Sequence, residues 1–262
     1  MQAILEKLYA KRTFGIKPGL TVISKLMAEL GNPQERLRTI HVAGTNGKGS
    51  VTAMLMSALR ELGLKIGVYT SPHLVRVNER FCINGVEIPD VEFFALLEKV
   101  EQASEILKQR DGLDVTFFEY TTAVAFLWFA EKNVDFAIIE VGMGGRLDAT
   151  NILPPPIVTV ITKIGLDHTA YLGESIAEIA GEKAGIIKRG SALVIGQNPP
   201  EALAVIIKVA QEKGVAFRLA AEDVSIIKNK KASSFNMQQL FVESQSVSYG
   251  NIKLKLPASY QI

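Results

Sequence analysis

One cysteine, one tryptophan and three histidines are all that the 262 residues hold of these types. With Cys82 alone, no internal disulfide can form, and a cysteine-built zinc centre is not available. A reducing, cytoplasmic setting is expected. Neither sign of charge dominates. Lys and Arg number 29 against 27 Asp and Glu, and the resulting +2 draws the chain toward neither nucleic acid nor an anionic membrane. The one short basic run, Lys228-Asn229-Lys230-Lys231, reads as a solvated turn. No apolar run approaches the roughly 18 residues that a membrane helix needs. The start, MQAILEKLYAKRTFG, carries charges throughout and lacks an apolar core, so a signal peptide is not expected. Internal repeats and low-complexity tracts are missing too.

Short apolar runs alternate instead with longer helical patterns. RTIHVAG (38–44), KIGVYT (65–70), DFAIIEVG (135–142), IVTVIT (157–162), SALVIG (191–196) and VAFRLA (215–220) read as strands. Helical spacing marks 50–62, capped by Gly63, and a segment starting at Asp90 as N-cap. It also marks 117–132, a glycine-interrupted 173–188 and 200–213. This alternation implies βαβ crossovers, hence an α/β fold with a mostly parallel sheet flanked by helices. After about residue 221 the pattern becomes strand-like, as in a small antiparallel appendage.

In such sheets ligands gather outside the carboxyl ends of the strands. Lys48, Ser71, Glu140 and the pair Asp167–His168 each stand at or just beyond the end of a different expected strand. HVAGTNGKGS (41–50) departs from the common phosphate loop G-x-x-x-x-G-K-[ST]. Val42 stands where its first glycine belongs, and Gly49 follows Lys48. Gly44, Gly47 and Gly49 nonetheless let backbone N–H groups approach an anion, and the next helix turns its positive end toward it. Lys48 can reach terminal phosphates; Thr45 or Ser50 can offer hydroxyls.

Ser71, before Pro72, is a turn residue or a hydroxyl ligand for Mg²⁺. Glu140 interrupts an apolar strand, either as a salt-bridge partner of Arg146 or as a carboxylate ligand for Mg²⁺. His168 fills a loop or completes a metal site. Lys183, between Gly181 and Gly185, is a solvated helix lysine or a partly buried one. In the second case its lowered proton affinity opens the way to a carbamate.

The blocks HVAGTNGKGS, YTSPHLVRVNERFCINGVEI, FFEYTTAVAF, IIEVGMGGRLDATN, ITKIGLDHTAYLG and IAGEKAGIIK resemble, in this order and spacing, folylpolyglutamate and dihydrofolate synthases. These are ATP-dependent amide-forming enzymes of the Mur ligase superfamily. The resemblance implies the Mur-ligase central-domain fold, with a phosphate-loop ATPase and folate-binding domain at 1–220. Residues 221–262 would be a β appendage and the start of a hinge.

It further implies that Gly44, Thr45, Asn46, Gly47, Lys48, Gly49 and Ser50 bind ATP. Ser71, Glu140 and His168 would hold Mg²⁺ or its water shell, and Lys183 would be a carbamylated lysine near a second metal. Lys48, Lys183 and His168 are the implied catalytic residues. Pro72, His73 and Leu74 would open a folate-covering loop at 72–86. Phe118, Glu119, Arg146 and Asp148 would lie near the folate and the reacting carboxylate.

The implied cofactors are ATP and Mg²⁺, with a monovalent cation as a further candidate. The implied substrates are L-glutamate and either folate or dihydropteroate, and a monomer is expected. Ala258-Ser259-Tyr260-Gln261 stands where the family's Gly-x-His-Gln-x-x-Asn element begins. A C-terminal Rossmann-like domain is therefore expected to be missing from this chain, and turnover to be poor. Other Mur-type amino-acid ligases and a nucleotide-binding remnant are the alternative readings.

Overall fold

The computed structural model describes residues 2–11, 15, 18–220, 224–228, 239–244 and 248–253. Most of the basic run after Lys228, and the Ala258–Gln261 element, lie outside the described residues.

One sheet contains eight strands: β1 (Thr39–Ala43), β2 (Ile66–Tyr69), β3 (Phe81–Ile83), β4 (Val86–Glu87), β5 (Phe136–Glu140), β6 (Val158–Ile161), β7 (Ala192–Ile195) and β8 (Phe217–Leu219). Their order is β4-β3-β2-β5-β1-β6-β7-β8. From β2 to β8 in that row the strands run parallel, and β3 and β4 add an antiparallel edge. A second sheet joins β9 (Val224–Lys228), β10 (Gln239–Ser244) and β11 (Ser248–Lys253) in antiparallel fashion, as expected of the appendage.

The helices are α1 (Gln2–Ala10), α2 (Thr21–Glu29), α3 (Lys48–Glu61), α4 (Asp90–Asp111), α5 (Phe117–Glu131), α6 (Thr169–Leu172), α7 (Ile176–Ala184) and α8 (Pro200–Glu212). Every residue of β1 is buried, because strands flank it and helices cover both faces. Ile40, Val42, Ile66, Val68 and Ile138 form one face and pack against Val51, Leu55 and Leu59 of α3. Tyr69, Ala137 and Ile139 form the other, under α2, α4 and α5. Ile161, Leu193 and Ile195 continue that second face under α7 and α8. The chain leaves β1 for β2 on one side and later sets β6 on its other side. β1 therefore marks a switch point, with a crevice at its carboxyl end.

Several expectations need correction. The 173–188 helix is only α7: Ser175 and Glu178 form a reciprocal capping box that starts it, and Gly173 at φ +107 ends the preceding turn. Asp90 is the first helical residue, with Pro89 in the cap position. Its carboxylate is held by Arg76 Nη2 (2.5 Å) and Asn78 Nδ2 (2.9 Å) instead of capping the helix. The stretch 72–86 is not all loop. Asn84-Gly85, at φ +51 and +83, turns a hairpin between β3 and β4.

Candidate functional site

The glycine-rich loop leaves β1 at Gly44 and enters α3 at Lys48, with Gly47 in the left-handed conformation (φ +86) at the cap position. No side chain caps α3. The N–H groups of a helix's first turn have no acceptor within the helix, so they remain available to an anion. The loop is stitched to the segment after β6. Thr45 N and Asn46 N donate to Lys163 O at 2.9 and 3.1 Å, and Thr45 Oγ1 exchanges hydrogen bonds with Gly165 O and N. Thr162 Oγ1 reaches Asn46 O at 2.8 Å, and Asn198 braces the same segment through Thr162 O and Ile164 N. Lys48 Nζ curls over its own loop, donating to Gly44 O (3.0 Å) and Thr45 O (3.3 Å). Lys183 Nζ donates to the same Gly44 O at 3.0 Å.

The structure therefore brings Lys48, Lys183 and the loop together, and Glu140 joins them electrostatically. Glu140 is buried. Burial pushes its carboxyl up to about 7, against the pull of Lys48, a hydrogen bond from Ser71 N, and Arg80. Lys183 is buried as well. Burial brings it down to about 8, helped by Lys48 and opposed by Asp167 and Asp148.

Glu140 does not pair with Arg146, whose guanidinium instead holds Glu182 Oε1 at 2.8 Å. A buried carboxylate whose charged form is disfavoured, beside a glycine-rich loop at a helix N-terminus, suits an oxygen-seeking divalent cation. Among the described residues no group of three or more His, Cys, Asp or Glu is placed to hold a metal. A cation here would thus rely on Glu140, hydroxyls and ligand phosphates, which is the manner of Mg²⁺.

A pH effect follows. The unfolded carboxyl titrates near 4.5 and the folded one near 7, so between these values the folded chain binds the extra proton. Ionised Glu140 destabilises the fold above pH 7, and this penalty fades as pH falls toward 4.5. Glu140→Gln should stabilise the cation-free chain at pH 8 by about 1–3 kcal/mol and have little effect at pH 4.5. Melting curves at the two pH values check this; equal shifts would exclude burial as the cause.

A cavity of about 560 Å³ lies against residues 142–149, which follow β5. Its walls include Ser71, Pro72, Phe118, Glu119, Arg146, Asp148 and His168. Ser71 joins the two regions, since its N–H holds Glu140 and the residue lines the cavity. Phe118 lies against Gly142, where a Cβ would stand 2.4 Å from its Cζ. Glycine there lets the ring form the wall. His168, half exposed, sits at φ +49, an uncommon conformation for a non-glycine residue.

Glu119 is buried and accepts from Thr116 N (2.8 Å) and Thr116 Oγ1 (2.7 Å), completing the cap of α5. Asp148 is buried too and accepts from Gly142 N, Met143 N, Thr150 N and Thr150 Oγ1. A carboxylate has roughly four lone-pair positions, so Asp148 spends them on the cavity wall itself. His73 and Leu74 do not line the cavity. His73 Nδ1 accepts from Arg80 Nε at 2.8 Å, and Leu74 is 92% exposed.

Sequence reasoning missed Thr162, Asn198 and Arg80. Arg80 is buried, lines the cavity, and lies over the Phe117 ring at 5.3 Å. A buried arginine in a cavity wall is the one of these with a chemical signal; the first two act only through the β1–β6 register.

A glycine loop between a parallel strand and its helix, a buried carboxylate at the end of the neighbouring strand, and a cavity nearby mark this α/β sheet's carboxyl edge as the candidate site. The sequence matches the Mur ligase middle domain over residues 42–262, and the chain belongs to that family. It is similar to a dihydrofolate synthase/folylpolyglutamate synthase of Bacillus subtilis, 44% identical over 97% of this chain and 59% of that protein. The folylpolyglutamate synthase of Thermotoga maritima superposes with a TM-score of 0.87 at 37% identity, over all of this chain and 59% of that one. A folylpolyglutamate synthase (FPGS) structure in complex with AMPPCP and folate does so at 0.85 and 40%, over 91% and 58%. The chain thus spans about three-fifths of the length of these relatives.

Proposed function

We propose that this chain carries the ATP- and folate-binding part of a folylpolyglutamate/dihydrofolate synthase, with residues 1–220 as the working unit and 221–262 appended to it. The observation that carries this is that Glu140 lies against Gly49 of the glycine loop, where a Cβ would stand 3.9 Å from its Oε2, while Ser71, whose backbone also acts on Glu140, lines the cavity. A nucleotide's terminal phosphate and an acceptor's carboxylate can therefore meet there.

A carboxylate oxygen of the acceptor attacks the γ-phosphorus of ATP, and ADP leaves. The amine nitrogen of L-glutamate then attacks the acyl carbon. The tetrahedral intermediate sheds a proton from nitrogen and expels phosphate, leaving the amide. Lys48 and the first-turn N–H groups of α3 neutralise the γ-phosphoryl charge and hold it in line. Mg²⁺, held by Glu140, Ser71 and His168, would supply further charge neutralisation. Lys183, at about 8, keeps an appreciable neutral fraction near pH 7.5, the form that adds CO₂ to give a carbamate. Either dihydropteroate or tetrahydrofolate fits this chemistry as acceptor.

Calorimetric titration of the chain tests the reading. Mg-AMPPCP should bind, and folate or dihydropteroate should then bind the loaded chain at a single site. Binding of AMPPCP with neither acceptor would overturn the acceptor assignment and leave a nucleotide-binding protein. Binding of none would overturn the whole reading.

A further inference from the structure

His41 is the one polar side chain of β1 buried at the very centre of the sheet besides Thr39, and the reaction above does not use it. It is fully buried and faces the same side as Ile139 and Thr159, its register partners on β5 and β6. Its Nε2 lies 2.8 Å from Thr150 Oγ1, and its Nδ1 has no hydrogen-bond partner among the described residues. Thr150 Oγ1 is in turn 2.5 Å from Asp148 Oδ1.

A hydroxyl has a single hydrogen. If Thr150 gives it to Asp148, the threonine oxygen must accept from His41, and Nε2 must carry the imidazole proton. The opposite tautomer would bury an N–H at Nδ1 with nothing to receive it, and would turn the Thr150 hydroxyl away from Asp148. Burial holds the imidazole neutral, at about 3, with Lys188 adding to the effect. One direction is therefore fixed along the chain His41 Nε2–H to Thr150 Oγ1–H to Asp148 Oδ1.

Asp148 in turn gathers the loop that walls the cavity. Its carboxylate draws in the N–H groups of Gly142 and Met143, while Thr150 N closes the far end. His41 stands three residues before Gly44, where the phosphate loop begins.

We propose that His41 and Thr150 are positioning residues: their one-way hydrogen-bond relay holds Asp148 in the orientation that shapes the Gly142–Leu147 wall, and so tunes acceptor affinity from the strand that carries the phosphate loop. The affinity part rests on the acceptor reading given above; the relay itself does not.

Thr150→Val keeps the shape and removes the hydroxyl, whereas Thr150→Ser keeps the hydroxyl. In the wild-type chain, ¹⁵N NMR of His41 should show the Nε2–H tautomer without titration between pH 5 and 9. Thr150→Val should move the Gly142 and Met143 amide resonances, and Thr150→Ser should restore them. Folate should bind Thr150→Val about tenfold more weakly, and the serine variant within about twofold of wild type, with AMPPCP affinity unchanged in both.

A wild-type Nδ1–H tautomer, or unmoved Gly142 and Met143 amides in the valine variant, would overturn the relay. Unchanged folate affinity in a valine variant with moved amides would overturn its tuning role. A general structural defect would instead lower AMPPCP and folate affinity together in both variants, and would also overturn that role. If the wild-type chain bound no folate, the acceptor reading would fall along with the tuning role, and the NMR results would still decide the relay.

Discussion

Lys48→Ala should weaken Mg-AMPPCP binding about a hundredfold while leaving the fold intact. The amine is half-buried and rests on Gly44 O and Thr45 O. No described carboxylate lies within ion-pair distance of it. Its charge is thus answered only by neutral carbonyls and, at longer range, by Glu140. A terminal phosphate would replace those carbonyls with charged oxygens. Charge-assisted bonds of this kind contribute about 1.5–3 kcal/mol each, and about 2.7 kcal/mol is a factor of a hundred. Titration calorimetry reads the loss, and a melting curve verifies the fold. A change of less than about threefold would remove Lys48 from the nucleotide site. Arginine should not substitute, because its planar fork cannot follow the tight curl that the ammonium makes over the loop.

Gly44→Ala should destabilise the chain by about 2–4 kcal/mol, the largest effect on stability expected of any one-carbon change in this loop. Gly44 has φ +154, and a Cβ there would lie 1.8 Å from Thr162 Oγ1 and 3.3 Å from the Thr162 backbone. The hydroxyl can rotate away only by giving up its bonds to Ala43 O and Asn46 O. Both the clash and the lost brace fall on the same pair of residues, so the effects will not add. The double variant Gly44→Ala/Thr162→Ala should be more stable than the sum of the single changes predicts. Urea denaturation of the four proteins measures this. A single-variant change under about 0.5 kcal/mol would mean that the close approach has no energetic weight.

The sheet was largely legible because parallel strands buried on both faces are mostly apolar; β1 departs from this only at Thr39 and His41, and β5 only at Glu140. α5 was legible for the same reason: it is buried from Glu119 to Ala130. β3 and β4 were not, since strands of 3 and 2 residues carry no readable alternation; only Asn84-Gly85 marked them. α1 and α2 do carry helical periodicity, but with 9 residues each they are too short to be stable as isolated helices and depend on packing against α4 and α5.

In the site, the glycines and Lys48 announced themselves by spacing. Glu140 did so by being a charge in an apolar strand. The partner of Arg146 could not be read, because Glu182 comes close only once Gly185 lets α7 meet the Arg146 backbone; a Cβ at Gly185 would stand 2.3 Å from Arg146 Cβ. His41 looked like any residue of a strand; only the fold brings Thr150, from the short helical turn Ala149–Ile152, against its ring.

The isolated bridge between Asn46 and Lys163 has a consequence for how this chain tolerates change in length. The loop after β1 and the loop after β6 are sewn together at that rung and at the bonds of Thr45 with Gly165 and of Thr162 with Asn46, and His168 follows in the second. A residue inserted in either would take these paired groups out of step. The two loops therefore share one permitted length, and any redesign of the first must be cut to the pattern of the second.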